Sequence, residues 1–265
     1  MKVYISADIE GITGVTHWDE TETGSPGWTE ACEQMTREVN AACEGALAAG
    51  ATEILVNDAH DSARNIITAQ LPREVKTIRG WSEHPQSMVQ ELDGSFHALL
   101  MIGYHSRAGS SGSPLAHTLV PRVAELRLNG QPAGEYHICA LEAARQKVPV
   151  MFLAGDKAIC EEAQLLQPSL SVVAVQEGVG DSTISIHPLL AVERIREGVQ
   201  AALAAPPEKL LVELPSSFQV EIRYTTQKEA YKQSFYPGAE LIDPHTIRFE
   251  TDDYFEVLRL LIFVA

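Results

Sequence analysis

Three short strand-like runs in this chain end in residues that bind hard or borderline metal ions. Val3 to Ala7 leads into Asp8 and Glu10, Ile54 to Asn57 into Asp58-Ala59-His60-Asp61, and Leu99 to Ile102 into Gly103-Tyr104-His105. Carboxylates two positions apart point to the same side while the chain stays extended, and Gly11 and Gly14 then let it turn. Singly, none of these residues carries a function. Acids at strand ends are ordinarily solvated, and a lone histidine after a strand more often hydrogen-bonds a backbone group. Together, Asp8, Glu10, His60 and His105 form an oxygen and imidazole set suited to zinc, with manganese, cobalt or iron compatible and thiolate chemistry absent.

Other candidate residues stay open at this level. Asp58 either orients an imidazole or caps the next turn. Glu135 opens a helix, where a carboxylate is an ordinary dipole partner. His117, in Ala116-His117-Thr118, is either an acid/base group or a buried structural histidine. His17, His84, His97, His137, His187 and His245 lack companion ligand types at strand ends. The nucleophile elbow G-x-S-x-G and the P-loop are both absent, and GITG is only a weak echo of a nucleotide turn.

The elements that must position these residues alternate between β-rich runs and helical periodicity, which predicts a mainly parallel sheet of five or more strands flanked by helices, an α/β fold. Ligand sites in such sheets form outside the carboxyl ends of the strands, where Asp8, Glu10, His60 and His105 would gather. The helix expected from about Glu30 to Ala49 shows one apolar stripe of Met35, Val39, Ala42, Cys43, Ala46 and Leu47, with Gly50 at its C′ position. Further helices are expected near Gln86 to Leu92, Glu135 to Gln146, Lys157 to Leu166 and Leu189 to Ala202. Strands are expected at Pro149 to Leu153 and Ser171 to Val175. Asn129-Gly130 signals a hairpin turn. The Gly/Ser-rich stretch from Arg107 to Pro114 reads as a mobile lid. APPEK, from Ala205 to Lys209, breaks the pattern, so we expect an α/β metal-binding catalytic domain over 1–205 and a smaller α+β C-terminal unit over 206–265.

Bulk properties narrow the function classes. The formal charge of −16 is spread along 265 residues, without a basic stripe that could follow a phosphate backbone, so nucleic acid is not expected as a partner. No apolar run approaches the roughly 18 to 20 residues that span a bilayer, and an acidic surface is repelled by anionic lipid. The first residues, MKVYISADIEG, lack the order of a signal peptide, which predicts a cytoplasmic protein. Cys32, Cys43, Cys139 and Cys160 show no CxxC pairing, and the first two would lie ~16 Å apart along one helix, too far for a disulfide.

The motifs ADIEGITG, LVNDAH, GYHSRAG, AHT and NGQPAGE resemble, in order and spacing, those of the zinc-dependent D-aminopeptidases of the DppA type, over most of residues 1–180. The resemblance implies that Asp8 bridges two zinc ions, that Glu10 binds one of them, and that His60, His105 and Glu135 complete the other. It also gives His117 the catalytic role, as a nucleophile in the family description, although a proton carrier or oxyanion stabiliser is physically preferable. It further implies a homodecamer of two stacked pentameric rings that admits only short peptides, probed best with D-Ala peptides. Ala59 and Ala116 depart from the family pattern, where serine is common, and Thr16 to Trp28 matches less clearly. The expected reaction is removal of an N-terminal residue by a water activated by two zinc ions, without an organic cofactor. Two other readings use the same residues: a metal-dependent phosphatase or phosphodiesterase gripping phosphate with Arg107 or Arg64, and a non-catalytic peptide-binding protein.

Overall fold

The computed structural model describes residues 1–206 and 210–265. Its main layer is a sheet of seven strands in the order β3-β2-β1-β4-β7-β8-β9, parallel except for the last pair. These strands are β1 (Lys2–Ala7), β2 (Glu53–Asp58), β3 (Val75–Ile78), β4 (Ala98–Tyr104), β7 (Val150–Asp156), β8 (Ser171–Val179) and β9 (Ser182–Ser185). Strands β4 and β7 are buried along their whole length, as expected of central parallel strands covered on both faces. Helices α1 (Trp28–Ala48) and α4 (Pro188–Leu203) pack side by side on one face. Helices α2 (Glu135–Arg145) and α3 (Lys157–Leu166) cover the other. The stripe predicted on α1 is the face it buries: Met35, Val39, Ala42, Cys43 and Ala46 are fully enclosed, and Gly50 ends the helix with φ +91°.

A second, antiparallel sheet has the order β11-β12-β10-β5-β6. It joins β10 (Phe218–Tyr224), β11 (Glu240–Asp243) and β12 (Thr246–Thr251) to the hairpin β5 (Val123–Leu128) and β6 (Gln131–Pro132). Asn129 and Gly130 close that hairpin with φ of +50° and +78°, the left-handed pair a two-residue turn needs. Helices α5 (Gln227–Gln233) and α6 (Tyr254–Val264) complete this layer. The sheet is therefore built from two separate stretches of chain, one on each side of the boundary expected near residue 205. Of the APPEK stretch that suggested this boundary, 207–209 lie outside the described residues.

Two local expectations are corrected. Gln86 to Leu92 forms a single 3-10 turn (Ser87–Val89), because Ser87 and Glu91 take φ of +44° and +67° and break any longer helix. The stretch 107–114 is packed down: Gly178 N–H donates to Gly112 O at 2.9 Å, and Ala108 N–H donates to Thr118 Oγ1 at 3.0 Å. A side chain at Gly112 would run into Ala158, so the glycine serves close packing of this stretch against α3.

Candidate metal centre

Adjacent parallel strands β2, β1 and β4 release their chains at the same end of the sheet, and this brings His60, Asp8 with Glu10, and His105 together. The loops after β1 and β4 are locked against each other. Gly11 N–H donates to Gly103 O at 2.8 Å, and a Cβ at Gly11 would stand 1.8 Å from Tyr104 O. Gly103 takes φ +74°, and a Cβ there would stand 2.2 Å from Asp8 O, so both positions demand glycine. Glu135 arrives from the first turn of α2, and His117 from the segment leading into β5.

Asp8 sits in the middle. Its Oδ1 lies 3.2 Å from His60 Nδ1, which also faces Glu10 Oε2 at 3.1 Å. Its Oδ2 lies 3.4 Å from His105 Nε2, which also faces Glu135 Oε2 at 3.1 Å. Donor atoms of Asp8, Glu10 and His105 fall within 4.8 Å of one another, and so do those of His105, His117 and Glu135. His117 Nε2 stands 4.0 Å from Glu10 Oε1 and 3.8 Å from Glu135 Oε1, with its ring stacked on His105 at 4.2 Å. All six residues expected at the site thus share one cluster, and all but His117 are buried.

Three main-chain carbonyls fix how the imidazoles point. His60 Nε2 meets Thr21 O at 2.9 Å, His105 Nδ1 meets Ser106 O at 2.9 Å, and His117 Nδ1 meets Leu115 O at 2.9 Å. A carbonyl only accepts, so each outer nitrogen carries the hydrogen, and the inner nitrogen of a neutral ring turns its lone pair towards carboxylates. Lone pair against lone pair is repulsive unless a cation lies between or the ring is protonated. Among the described residues, neither Glu10 oxygen nor His105 Nε2 has an aligned hydrogen-bond partner, despite the short approaches. Buried, unpartnered donors of hard-oxygen and imidazole type converging on one point fit a divalent metal site.

Electrostatics agree. Burial and the neighbouring Glu10 charge push Asp8 well above the usual carboxylate range. Burial would also raise Glu10, but the His60, His117 and His105 imidazoles outweigh it and hold it well below. Burial is outweighed in the same way at Glu135, where His105 and then His117 bring the carboxyl down to about 2. Burial would lower His60 and His105; the surrounding carboxylates, led by Glu10 and Glu135 respectively, hold both well above the usual histidine range. Protons occupy the place of positive charge in the metal-free protein.

The profile of the D-aminopeptidase family matches residues 1–263. The chain belongs to the D-aminopeptidase family. The D-aminopeptidase of Bacillus subtilis (strain 168) is 30% identical over 264 residues, covering 99% of this chain and 96% of the relative. A solved structure, described as a Zn-dependent D-aminopeptidase DppA from Bacillus subtilis and a self-compartmentalizing protease, superposes with a TM-score of 0.93 at 29% identity. That match covers 100% of this chain and 96% of the other.

In this D-aminopeptidase family member, the cluster forms the floor of a cavity of about 490 Å³. Trp18, Trp81, Met88, Leu119, Val120 and Ile262 supply apolar wall, and Glu22, Asp61 and Glu83 line it with acid. Among the described residues no lysine or arginine lines it. Arg107 pairs with Glu162 at 3.4 Å, and the exposed Arg64 is not part of the wall. Of the histidines set aside from sequence, only His84 reaches the cavity, at its rim, while His187 caps α4 ahead of Pro188.

Asp58 turns out not to touch the His60 ring. Its carboxylate accepts from Asn65 N–H at 2.6 Å, Ile66 N–H at 2.8 Å and Asn65 Nδ2 at 2.9 Å, closing the loop that carries His60. Sequence reasoning missed two further supports. Asp156 accepts from Ser106 N–H at 2.6 Å and Ser106 Oγ at 2.7 Å, next to His105; Gln176 Nε2 donates to Glu10 O and Val15 O, both at 3.1 Å. Asp156 ends β7, so the strand-end rule that found the histidines would have found it one strand further along.

Proposed function

We propose that this chain is a zinc-dependent D-aminopeptidase that releases the N-terminal residue of short peptides, with D-Ala dipeptides as the first substrates to test. The observation that carries this reading is Asp8, with one oxygen turned to His60 and the other to His105, at the floor of an acid-lined cavity that no lysine or arginine lines among the described residues. Asp8, Glu10, His60, His105 and Glu135 are the proposed holders of two zinc ions, and the same donors suit manganese or cobalt. When bound, zinc polarises a carbonyl and lowers the pKa of water towards ~7.

The chain's own residues do the rest. Glu22, Asp61 and Glu83 favour a free α-ammonium and repel anions, which counts against the phosphatase reading. His117, tethered through Nδ1–H to Leu115 O, keeps Nε2 open towards Glu10 and Glu135. There it accepts a proton from the attacking water and returns it to the leaving amine, so water and peptide give a free amino acid and a shortened peptide. The homologue described as self-compartmentalizing supports a homo-oligomer, proposed as a homodecamer. Four free cysteines suit the proposed cytoplasmic setting, and no helix among the described residues is long and apolar enough to cross a membrane.

The test is hydrolysis of matched D-Ala and L-Ala dipeptides by zinc-loaded protein, wild type against Asp8→Ala and His117→Ala, all checked for fold. We expect D-selective cleavage in the wild type and a loss of 100-fold or more in kcat for His117→Ala, on the order of what general acid–base catalysis contributes. L-selective cleavage would retain the metallopeptidase and remove the D preference. Tight peptide binding without turnover would favour the binding-protein reading.

A further inference from the structure

We propose that Trp18 and Trp81 form the pocket for the side chain of the substrate's first residue, and that the preferred substrates are short peptides beginning with a large apolar or aromatic residue instead of alanine. The inference rests on the aminopeptidase reading and narrows its substrate class. At about 490 Å³ the cavity lies within the roughly 300–1,000 Å³ of pockets that enclose drug-sized ligands. The methyl of an alanine would leave most of its apolar wall against water.

Both indoles line the cavity that opens on Asp8, Glu10, His60, His117 and Glu135. The Trp18 ring is 5.2 Å from that of His117, centroid to centroid, with 66° between their planes. A side chain resting on Trp18 therefore lies beside the group that handles the proton, next to the bond being cut. The turn that carries Trp18 (Trp18–Glu20) is tied to the metal centre through Thr21 O, the acceptor for His60. Trp81 donates its Nε1–H to Asp61 O at 2.7 Å, one residue beyond His60. That bond satisfies its polar edge, leaving the rest of the ring as apolar surface.

The walls are anchored independently. Trp18 packs against the core under α1, with Ile12 and Val15, whereas Trp81 packs against the core on the α2 side, with Met88 and Tyr4. The pocket is thus held from both faces of the sheet, which suits discrimination by shape. Neither tryptophan lies in the motifs that carry the family resemblance, so the metal chemistry and the side-chain preference come from different parts of the sequence.

The test is kcat/KM of zinc-loaded protein on dipeptides beginning with Ala, Leu or Phe, in both the D and L series, for wild type, Trp81→Ala, Trp81→Phe and Trp18→Ala. The ratio of Phe to Ala substrates is read within whichever series is cleaved, so a wrong assignment of chirality does not affect it. We expect a wild-type ratio of at least ~10, since even one methylene in an apolar pocket is worth about 10–200-fold. Trp81→Ala should lower that ratio by roughly 10-fold and Trp81→Phe should restore most of it. Free phenylalanine should inhibit the wild type more strongly than free alanine. Equal or faster cleavage of the Ala substrates by wild type, or an equal loss on both substrates in Trp81→Ala, would overturn the inference. Cleavage of none of the dipeptides by folded, zinc-loaded wild type would overturn the aminopeptidase reading itself, and this inference with it.

Discussion

His60, His105 and His117 reach the centre along different loops, yet each spends its outer N–H on a main-chain carbonyl and turns the other nitrogen inward. Tautomer and orientation are set before any ligand arrives, as second-shell bonds do at metal sites generally. In the metal-free protein His60 and His105 are held above their ordinary value of 6.5. The sign follows: their contacts with carboxylates stabilise the fold fully below 6.5 and fade as pH rises through the raised values. Glu135, brought from 4.5 to about 2, does the reverse, stabilising above 4.5 and losing its contribution as pH falls towards about 2. Zinc needs the lone pairs those protons occupy, so its uptake near neutral pH should release protons, and its affinity should rise with pH. Titration calorimetry of zinc into metal-free protein, in two buffers of different ionisation enthalpy, reads this directly. Identical apparent enthalpies and a flat affinity between pH 6 and pH 8 would contradict the assignment of these rings as ligands.

The strands set positions that the residues alone cannot. Asp156, at the end of β7, binds Ser106 through both N–H and Oγ and also caps α3 by accepting from Ile159 N–H at 2.9 Å. Asp156→Ala would strand two buried N–H groups at about 1–3 kcal/mol each, so a loss on the order of 3 kcal/mol is expected. At roughly 2–4 °C per kcal/mol for a chain of this size, the metal-free variant should melt about 6–12 °C lower. An unchanged melting temperature would mean that the loop after His105 is held some other way. Much at this scale was legible in the sequence. Hydrophobic period and turn residues located α1, α2, α3, α4 and the central strands, because long amphipathic patterns report burial directly. Four metal-site residues followed from strand ends alone. Short edge elements were not legible: β3, β9, β11 and α5 run only 4 to 7 residues, and pairing, not local pattern, defines them. Glu135 and His117 needed the family resemblance, since a helix-opening glutamate and a loop histidine look alike in site and scaffold. The 107–114 stretch misled because its glycines permit close packing as readily as motion.

At the scale of the whole molecule, the two sheets meet around the cavity. Residues 118–121 and α2 connect them, and α6 of the second layer contributes Ile262 to the cavity wall. The neighbouring residue, Phe263, is 68% exposed, and Phe235 and Tyr231 are 71% and 62% exposed. Tyr231 pairs with Phe235 at 5.3 Å and Phe263 with Tyr236 at 6.2 Å, so the exposed aromatic rings are grouped on the C-terminal layer. Grouped aromatics on a surface mark contact sites, and the formal charge of −16 makes their exposure to water harder to attribute to a general shortage of polar residues. If the proposed homodecamer buries this surface, Ile262 places a subunit contact one residue from the substrate cavity. Assembly would then restrict what reaches the metal centre. Light scattering coupled to size exclusion should give wild type about ten times the mass of one chain. Phe235→Glu with Phe263→Glu should give a smaller species with an unchanged circular dichroism spectrum, because a buried carboxylate at each contact is costly while the exposed positions tolerate it in a free subunit. The smaller species should cleave peptides longer than those the wild type accepts. A wild type that runs as a monomer, or a double variant that keeps the full mass, would show that these aromatics do not join the subunits.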